Sequence, residues 1–129
     1  MELLTLFPLL IIEEREESLV EEIIEAYIST VVHSFQKGKS PGPDGFTMYF
    51  FLGFYYLLKG DLLKVLRESQ RSAKILGAMK STFISLILKK QKGENFKDFC
   101  PISCCNMIYK IIAKTIALRL KPFLSTVIS

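Results

Sequence analysis

Between Ser81 and Lys121 the hydrophobic period of the chain changes, and that change limits the folds open to it. Thr82 to Leu88 is a run of β-branched and apolar residues interrupted only by Ser85. Such a run suits a strand, and its lack of polar alternation predicts one buried on both faces. Lys89-Lys90-Gln91-Lys92-Gly93 reads as its exposed end and a turn. Phe96 to Ile102 is predicted to return as a second strand, so the two form a hairpin. Pro101 confines that second strand to an edge or ends it, because proline cannot donate to a ladder. From about Ser103 to Pro122 the period becomes helical. Ile108, Ile111, Ile112, Thr115 and Leu118 gather on one side, and Lys110, Lys114 and Lys121 on the opposite one. Arg119 projects into the apolar side, so it must snorkel, meet a carboxylate or face a ligand. A structural salt bridge is the expectation.

The residues before this stretch read as helices and one special loop. Residues 1–17 form an apolar and acidic lead-in. Ser18 to Ser34 is predicted helical, with Leu19, Ile23, Ala26, Tyr27 and Val31 at spacings of three or four. Ser18 and Glu21 make a capping box for it. Lys37 to Gly45, KGKSPGPDG, cannot continue that helix, and Pro-Asp-Gly has turn chemistry, so an ordered turn is expected. Phe46 to Leu58 and Asp61 to Leu76 are predicted as two helices divided near Gly60, with Asp61 as N-cap and Gly77 as C-cap. Leu62, Leu63, Val65, Leu66 and Ser69 supply the apolar side of the second helix; Lys64, Arg67, Arg71 and Lys74 run along another.

At 129 residues the chain is one domain's length. Half of it is apolar, which suits a thoroughly buried interior or faces made for a partner. The net charge of +4 hides an asymmetry. Residues 1–34 hold eight glutamates (Glu2, Glu13, Glu14, Glu16, Glu17, Glu21, Glu22, Glu25) against Arg15 alone, a balance of −7; the remainder holds sixteen bases against five acids, or +11. A basic body favours a polyanion as partner, and the acidic head is either an internal counter-charge or a solvated helix face. Cys100, Cys104 and Cys105 are odd in number and bunched, a poor disulfide framework and a poor zinc set. Buried, reduced thiols and an intracellular setting, cytoplasm or nucleus, follow. Neither LLTLFPLLII nor FTMYFFLGFYYLL is long enough to span a bilayer, so no transmembrane segment is expected.

Tested for chemistry, most motifs fail. Gly42-x-x-Gly45 is followed by Phe46 and Thr47, which excludes a P-loop. His33 is the single histidine, leaving His-based triads nothing to use. Two-metal chemistry requires carboxylates that hold the ions. After Asp98 there is no acid, and Asp44, Asp61, Glu68, Glu94 and Asp98 contain no adjacent pair. No catalytic and no metal-binding residue is therefore expected in this chain. Lysines at a strand end beside a glycine turn can clamp phosphate, although a solvated turn has the same composition.

Four blocks carry a family resemblance: KSPGPDGFT (Lys39–Thr47), STFISLILKK (Ser81–Lys90), NFKDFCPIS (Asn95–Ser103) and NMIYKIIAKTIALRLKPFL (Asn106–Leu124). In order and interval they resemble the LINE-type, non-LTR retrotransposon reverse transcriptases over roughly residues 20–129. The motif positions are Ser40, Pro41, Gly42, Pro43, Asp44 and Gly45 in the first block and Pro101, Ile102 and Ser103 in the third. The resemblance implies an α+β, mainly helical fold. It would be part of a right-hand polymerase, the fingers and the start of the palm, with a β-hairpin packed on helices across residues 18–129. It implies RNA or DNA as partner, with Lys89 and Lys90, and by extension Lys110 and Lys114, on phosphates. In that family the Pro-Ile-Ser corner carries an arginine where this chain has Cys100, and usually a proline where it has Leu88. A thiol does not replace a guanidinium at a phosphate. The family uses magnesium, held by aspartates in segments beyond those matched here. The chain is thus expected to be a truncated RNA-directed DNA polymerase segment, inactive alone, that self-associates through exposed apolar faces. A reading from another class is a helical interaction module that binds a partner chain or a membrane surface.

Overall fold

The computed structural model describes residues 19–128, and within them four helices surround one core while a hairpin stands beside it. The helices are α1 (Glu25–His33), α2 (Met48–Gly53), α3 (Tyr55–Ser72) and α4 (Met107–Val127). Strand β1 (Thr82–Leu88) pairs antiparallel with β2 (Phe99–Cys105), with Leu86 opposite Pro101 and Thr82 opposite Cys105. Short 3₁₀ turns, Gly77–Lys80 and Phe96–Asp98, lead into the two strands.

Each helix contributes one stripe to the core: Ile28, Val31 and Val32 from α1; Met48 and Phe51 from α2; Tyr55, Leu62 and Leu66 from α3; Met107, Ile111 and Ile112 from α4. Thr115 is buried on the same side of α4, where its hydroxyl donates to the Ile111 carbonyl at 2.8 Å. Ile108 and Leu118 pack against that core, so the apolar side read for α4 holds. The apolar side of α3 holds likewise, with Leu63 and Val65 packed beside Leu62 and Leu66.

Several boundaries differ from expectation, each for a tertiary reason. The helix expected from Ser18 to Ser34 is interrupted: Leu19 and Val20 are helical, Glu21 to Ile24 are not, and α1 starts at Glu25. Side chains of α3 and α4 take the carbonyls there that a helix would have used. That break resets the phase, so Ile28 and Val32 are buried while Ala26 is exposed. The Ser18 half of the proposed capping box lies outside the described residues.

The next two helices divide at Phe54 rather than Gly60, which lies inside α3 with Asp61. A glycine in a helix interior costs about 1 kcal/mol. Burying Tyr55, Leu62 and Leu66 along one face outweighs that cost. At Phe54, stacking on Phe50 at 5.0 Å, itself 4.7 Å from Phe46, accompanies the bend. The second of these helices stops at Ser72, with Ala73 left-handed at φ 54°, well before Gly77. The Ser72 hydroxyl turns back to the Glu68 carbonyl at 2.8 Å. Strand β2 runs three residues past Ile102, and the last helix starts after Asn106 and passes through Pro122.

The largest correction concerns β1. It is not interior: Ile84 is 70% exposed and Leu86 57%, with Phe83, Ile87 and Leu88 also exposed. A two-stranded sheet has no second layer of its own, and along this pair only Cys104, at the end next to α4, is buried. Hydrophobicity therefore marks this hairpin as a strand pair without saying what covers it. Cys100 is exposed and Cys105 half-buried, so only Cys104 meets the expectation of buried thiols; all three are free. Among the described residues no helix is long and apolar enough to cross a membrane.

Candidate functional site

Two of the motif residues, Gly42 and Asp44, meet Asn106, the residue between β2 and α4. Its side chain, 5% exposed, accepts the Asp44 N–H at 3.0 Å and donates to the Ala78 carbonyl at 3.1 Å. It thereby ties the SPGPDG loop and the turn before β1 to one joint. The loop itself is a β-turn, Gly42-Pro43-Asp44-Gly45, closed by the Gly45 N–H on the Gly42 carbonyl at 3.0 Å. Pro43 and Asp44 take the middle positions, which suits their dihedral preferences. Gly45 sits at φ +76°, and the Asp44 carboxylate accepts the Phe46 N–H at 3.0 Å. Gly42 is buried against the β2–α4 joint. A Cβ there would overlap Asn106 N and the Cys105 carbonyl carbon and lie 2.6 Å from the Cys105 oxygen. Ser40 is exposed and Pro41 half-buried. Sequence reasoning assigned Asn106 no role; an asparagine just ahead of a helical pattern was the available signal.

The four candidate lysines fall in two places. Lys110 donates to the Ser40 carbonyl at 3.1 Å. Lys114 donates to the Ser34 carbonyl at 2.9 Å and lies 4.2 Å from the Phe35 ring. These two fasten the loop and the C-terminal end of α1 to α4, where a cation also suits the helix dipole. Lys89 and Lys90 stand at the far end of the hairpin, about 23 Å along seven strand residues from that joint. The hairpin tip also exposes Lys92 and Lys97. On the second strand Pro101 and Ser103 are exposed and Ile102 is half-buried opposite Ser85.

Asp98 organises the tip. Its backbone carbonyl accepts the Lys89 N–H at 2.7 Å. Its carboxylate pairs with Lys90 Nζ at 3.1 Å and accepts the N–H groups of Glu94 and Asn95, both at 3.2 Å. The Lys90 ammonium, then those two amides, hold the Asp98 carboxyl below the usual carboxylate range. Because the folded value is the lower one, its contribution is complete above the unfolded carboxylate value of about 3.9 and fades as pH falls through the folded value. The protection of the amides of residues 94–98 against exchange, relative to their intrinsic rates, should therefore be high at neutral pH and fall below about pH 4. Asp98→Asn should show the lower protection at every pH; equal protection in both proteins at pH 7 would contradict this role.

Arg119 meets neither a carboxylate among the described residues nor solvent alone. Its Nη1 donates to the carbonyls of Leu19 at 3.1 Å and Glu21 at 2.6 Å, and its guanidinium lies 5.3 Å from the Tyr27 ring. Arg67 Nε donates to the Ile23 carbonyl at 2.9 Å, and Gln70 Nε2 to those of Val20 and Glu21. The expected salt bridge is thus a clamp on backbone instead. Of the acidic head, Glu25 pairs with Lys59 at 2.7 Å and Glu22 with Arg67 at 3.1 Å, internal counter-charges on the surface.

The acids after Lys37 are spread over separate elements. Asp44 caps the loop, Asp61 and Glu68 pair with Lys64 and Arg71 on α3, and Asp98 serves the hairpin tip. Among the described residues no three His, Cys, Asp or Glu side chains gather.

No family model matches the chain. It is 35% identical over 116 residues to the transposon TX1 uncharacterised 149 kDa protein of Xenopus laevis. That match takes in 90% of this chain, which spans 9% of the length of the Xenopus protein. The similarity supports a transposon-derived origin.

Proposed function

We propose that this transposon-related chain is a fingers segment of a retrotransposon RNA-directed DNA polymerase of the non-LTR, LINE type. By itself it binds nucleic acid and catalyses nothing. The observation that carries the reading is the convergence at Asn106. Blocks recognised separately along the sequence meet at one joint, with the SPGPDG loop docked on it and the Pro-Ile-Ser strand leading into it. A loop so placed positions the hairpin relative to α4, and the hairpin holds its lysines outward. No step through magnesium is assigned: the acids after Lys37 are dispersed, and Asp44, Asp61, Glu68 and Asp98 already have partners.

Binding of single-stranded RNA or DNA by such a tip is electrostatic. Its affinity should fall with salt at about −0.7 in log–log slope per phosphate neutralised. Lys89→Ala with Lys92→Ala should reduce that slope by about 1.4 in total. Lys110→Ala should leave the slope nearly unchanged, since that ammonium is occupied on the Ser40 carbonyl. Primer extension by the purified chain with template and magnesium, or binding indifferent to salt, would overturn the proposal.

A further inference from the structure

The two edges of the hairpin are not equivalent. The Lys89 N–H bonds the Asp98 carbonyl, one step beyond the Leu88–Phe99 pair, which sets the phase of the antiparallel ladder. Hydrogen-bonded and non-hydrogen-bonded pairs alternate. Ile87–Cys100, Ser85–Ile102 and Phe83–Cys104 are then the bonded pairs. Leu88–Phe99, Leu86–Pro101, Ile84–Ser103 and Thr82–Cys105 turn their backbone groups outward. Pro101, which has no N–H to give, sits at one of the outward positions, as this phase requires. The free edge of β2 is therefore interrupted in its middle by proline. The free edge of β1 presents the N–H and C=O groups of Thr82, Ile84, Leu86 and Leu88 with no proline and no charged side chain. Among the described residues no backbone hydrogen bond outside the ladder reaches Ile84, Leu86 or Leu88.

We infer that the chain forms a two-fold homodimer by antiparallel pairing of β1 with β1 of a second copy, centred on Ser85. This inference rests on the hairpin geometry alone and stands whether or not the polymerase reading does. One register, centred on Ser85, uses all four outward residues of each copy; registers shifted by two residues use only three. Thr82 meets Leu88 of the second copy and Ile84 meets its Leu86, each pair exchanging two bonds, about eight in all. That register also matches the side chains. Ile84, Leu86 and Leu88 of both copies form one apolar strip on one face, and Phe83 lies beside Ile87 of the second copy on the other. A register shifted by one residue would present inward-turned groups to outward ones and lose the bonds. A parallel arrangement would set Lys89 beside Lys89, whereas the antiparallel one separates the two tips. The like charges that do approach are Lys80 and Lys90 of the second copy, and Asp98 already neutralises Lys90. The product is a four-stranded sheet, β2-β1-β1-β2, with proline-interrupted strands at both outer edges, so pairing stops at two copies.

The test uses the full chain. Light scattering should give a mass twice the 14.7 kDa of one chain. Ile84→Pro removes one outward donor and should halve that mass, while the hairpin amides at the inward positions 85 and 87 stay protected. Ser85→Cys in a Cys100→Ser background should cross-link into a disulfide dimer on mild oxidation. In this register the two Ser85 Cα atoms face each other at about 4.5 Å, within disulfide reach. Ile87→Cys in the same background should not cross-link, because its neighbour across the axis is Phe83. A monomer at every concentration, or a dimer that Ser85→Cys does not link and Ile84→Pro does not dissociate, would overturn the inference, as would pairing of this edge with another chain only.

Discussion

Gly42→Ala is expected to be the most damaging single-methyl change in the chain. The added Cβ points into the backbone of Cys105 and Asn106, not into the far end of a side chain, so no rotamer change relieves the overlap. Either the SPGPDG loop lifts away or the β2–α4 joint moves. Lifting breaks the Asp44 N–H to Asn106 bond and the Lys110 bond to Ser40. Overpacking of this kind costs about 3 kcal/mol. At this chain length that is roughly 12 °C in Tm. Gly60→Ala is the counterpart. Nothing lies within 4 Å of its Cβ position, and it sits in a helix interior, so alanine should raise stability by about 0.5–1 kcal/mol. Thermal unfolding of the two variants side by side checks both. A Gly42→Ala protein that melts with the parent would mean the loop is not docked as described.

The second large effect is expected at Arg119. A charged donor contributes about 1.5–3 kcal/mol per hydrogen bond when its loss leaves an acceptor unmet. Arg119 satisfies two carbonyls, of Leu19 and Glu21, where the chain leaves helical geometry ahead of α1. The groove beside it, of about 450 Å³, is lined by Leu19, Ile23, Leu66 and Ile112 among others. Arg119→Leu should therefore lower stability by roughly 3 kcal/mol, even though leucine suits the apolar side of α4 better than arginine does. Arg119→Lys should recover under half of this, because an ammonium lacks the planar fork. Urea midpoints measure the loss, and hydrogen exchange across residues 19–28 locates it. If Arg119→Leu equals or exceeds the parent in stability, apolar burial rather than the clamp holds the entry segment.

These two positions mark where reading the chain reached its limit. KGKSPGPDG announced an ordered turn, and the turn is there, because proline and glycine act on their own dihedrals. Which surface the turn rests on depends on Asn106, sixty-two residues beyond Asp44 in the chain. Arg119 was visible as an anomaly on an apolar stripe. Its partners are carbonyls, which every residue possesses and no residue type advertises, so the sequence could not name them. Gly60 illustrates the converse error. Its local cost was read as a helix end, yet three buried residues in phase along α3 carry the helix through it.

Local chemistry alone determined the helical period of α3 and α4, the strand character of Thr82 to Leu88, the edge placement of Pro101 and the dispersal of the acids after Lys37. Each of these follows from a property a residue carries into any fold. Tertiary structure decided where α1 begins, where α2 gives way to α3, and that β1 lies open instead of enclosed. A backbone acceptor can be satisfied from its own helix or from a distant side chain, and an apolar face is buried only where a second surface arrives. Both outcomes depend on neighbours that are remote in the chain and close in space.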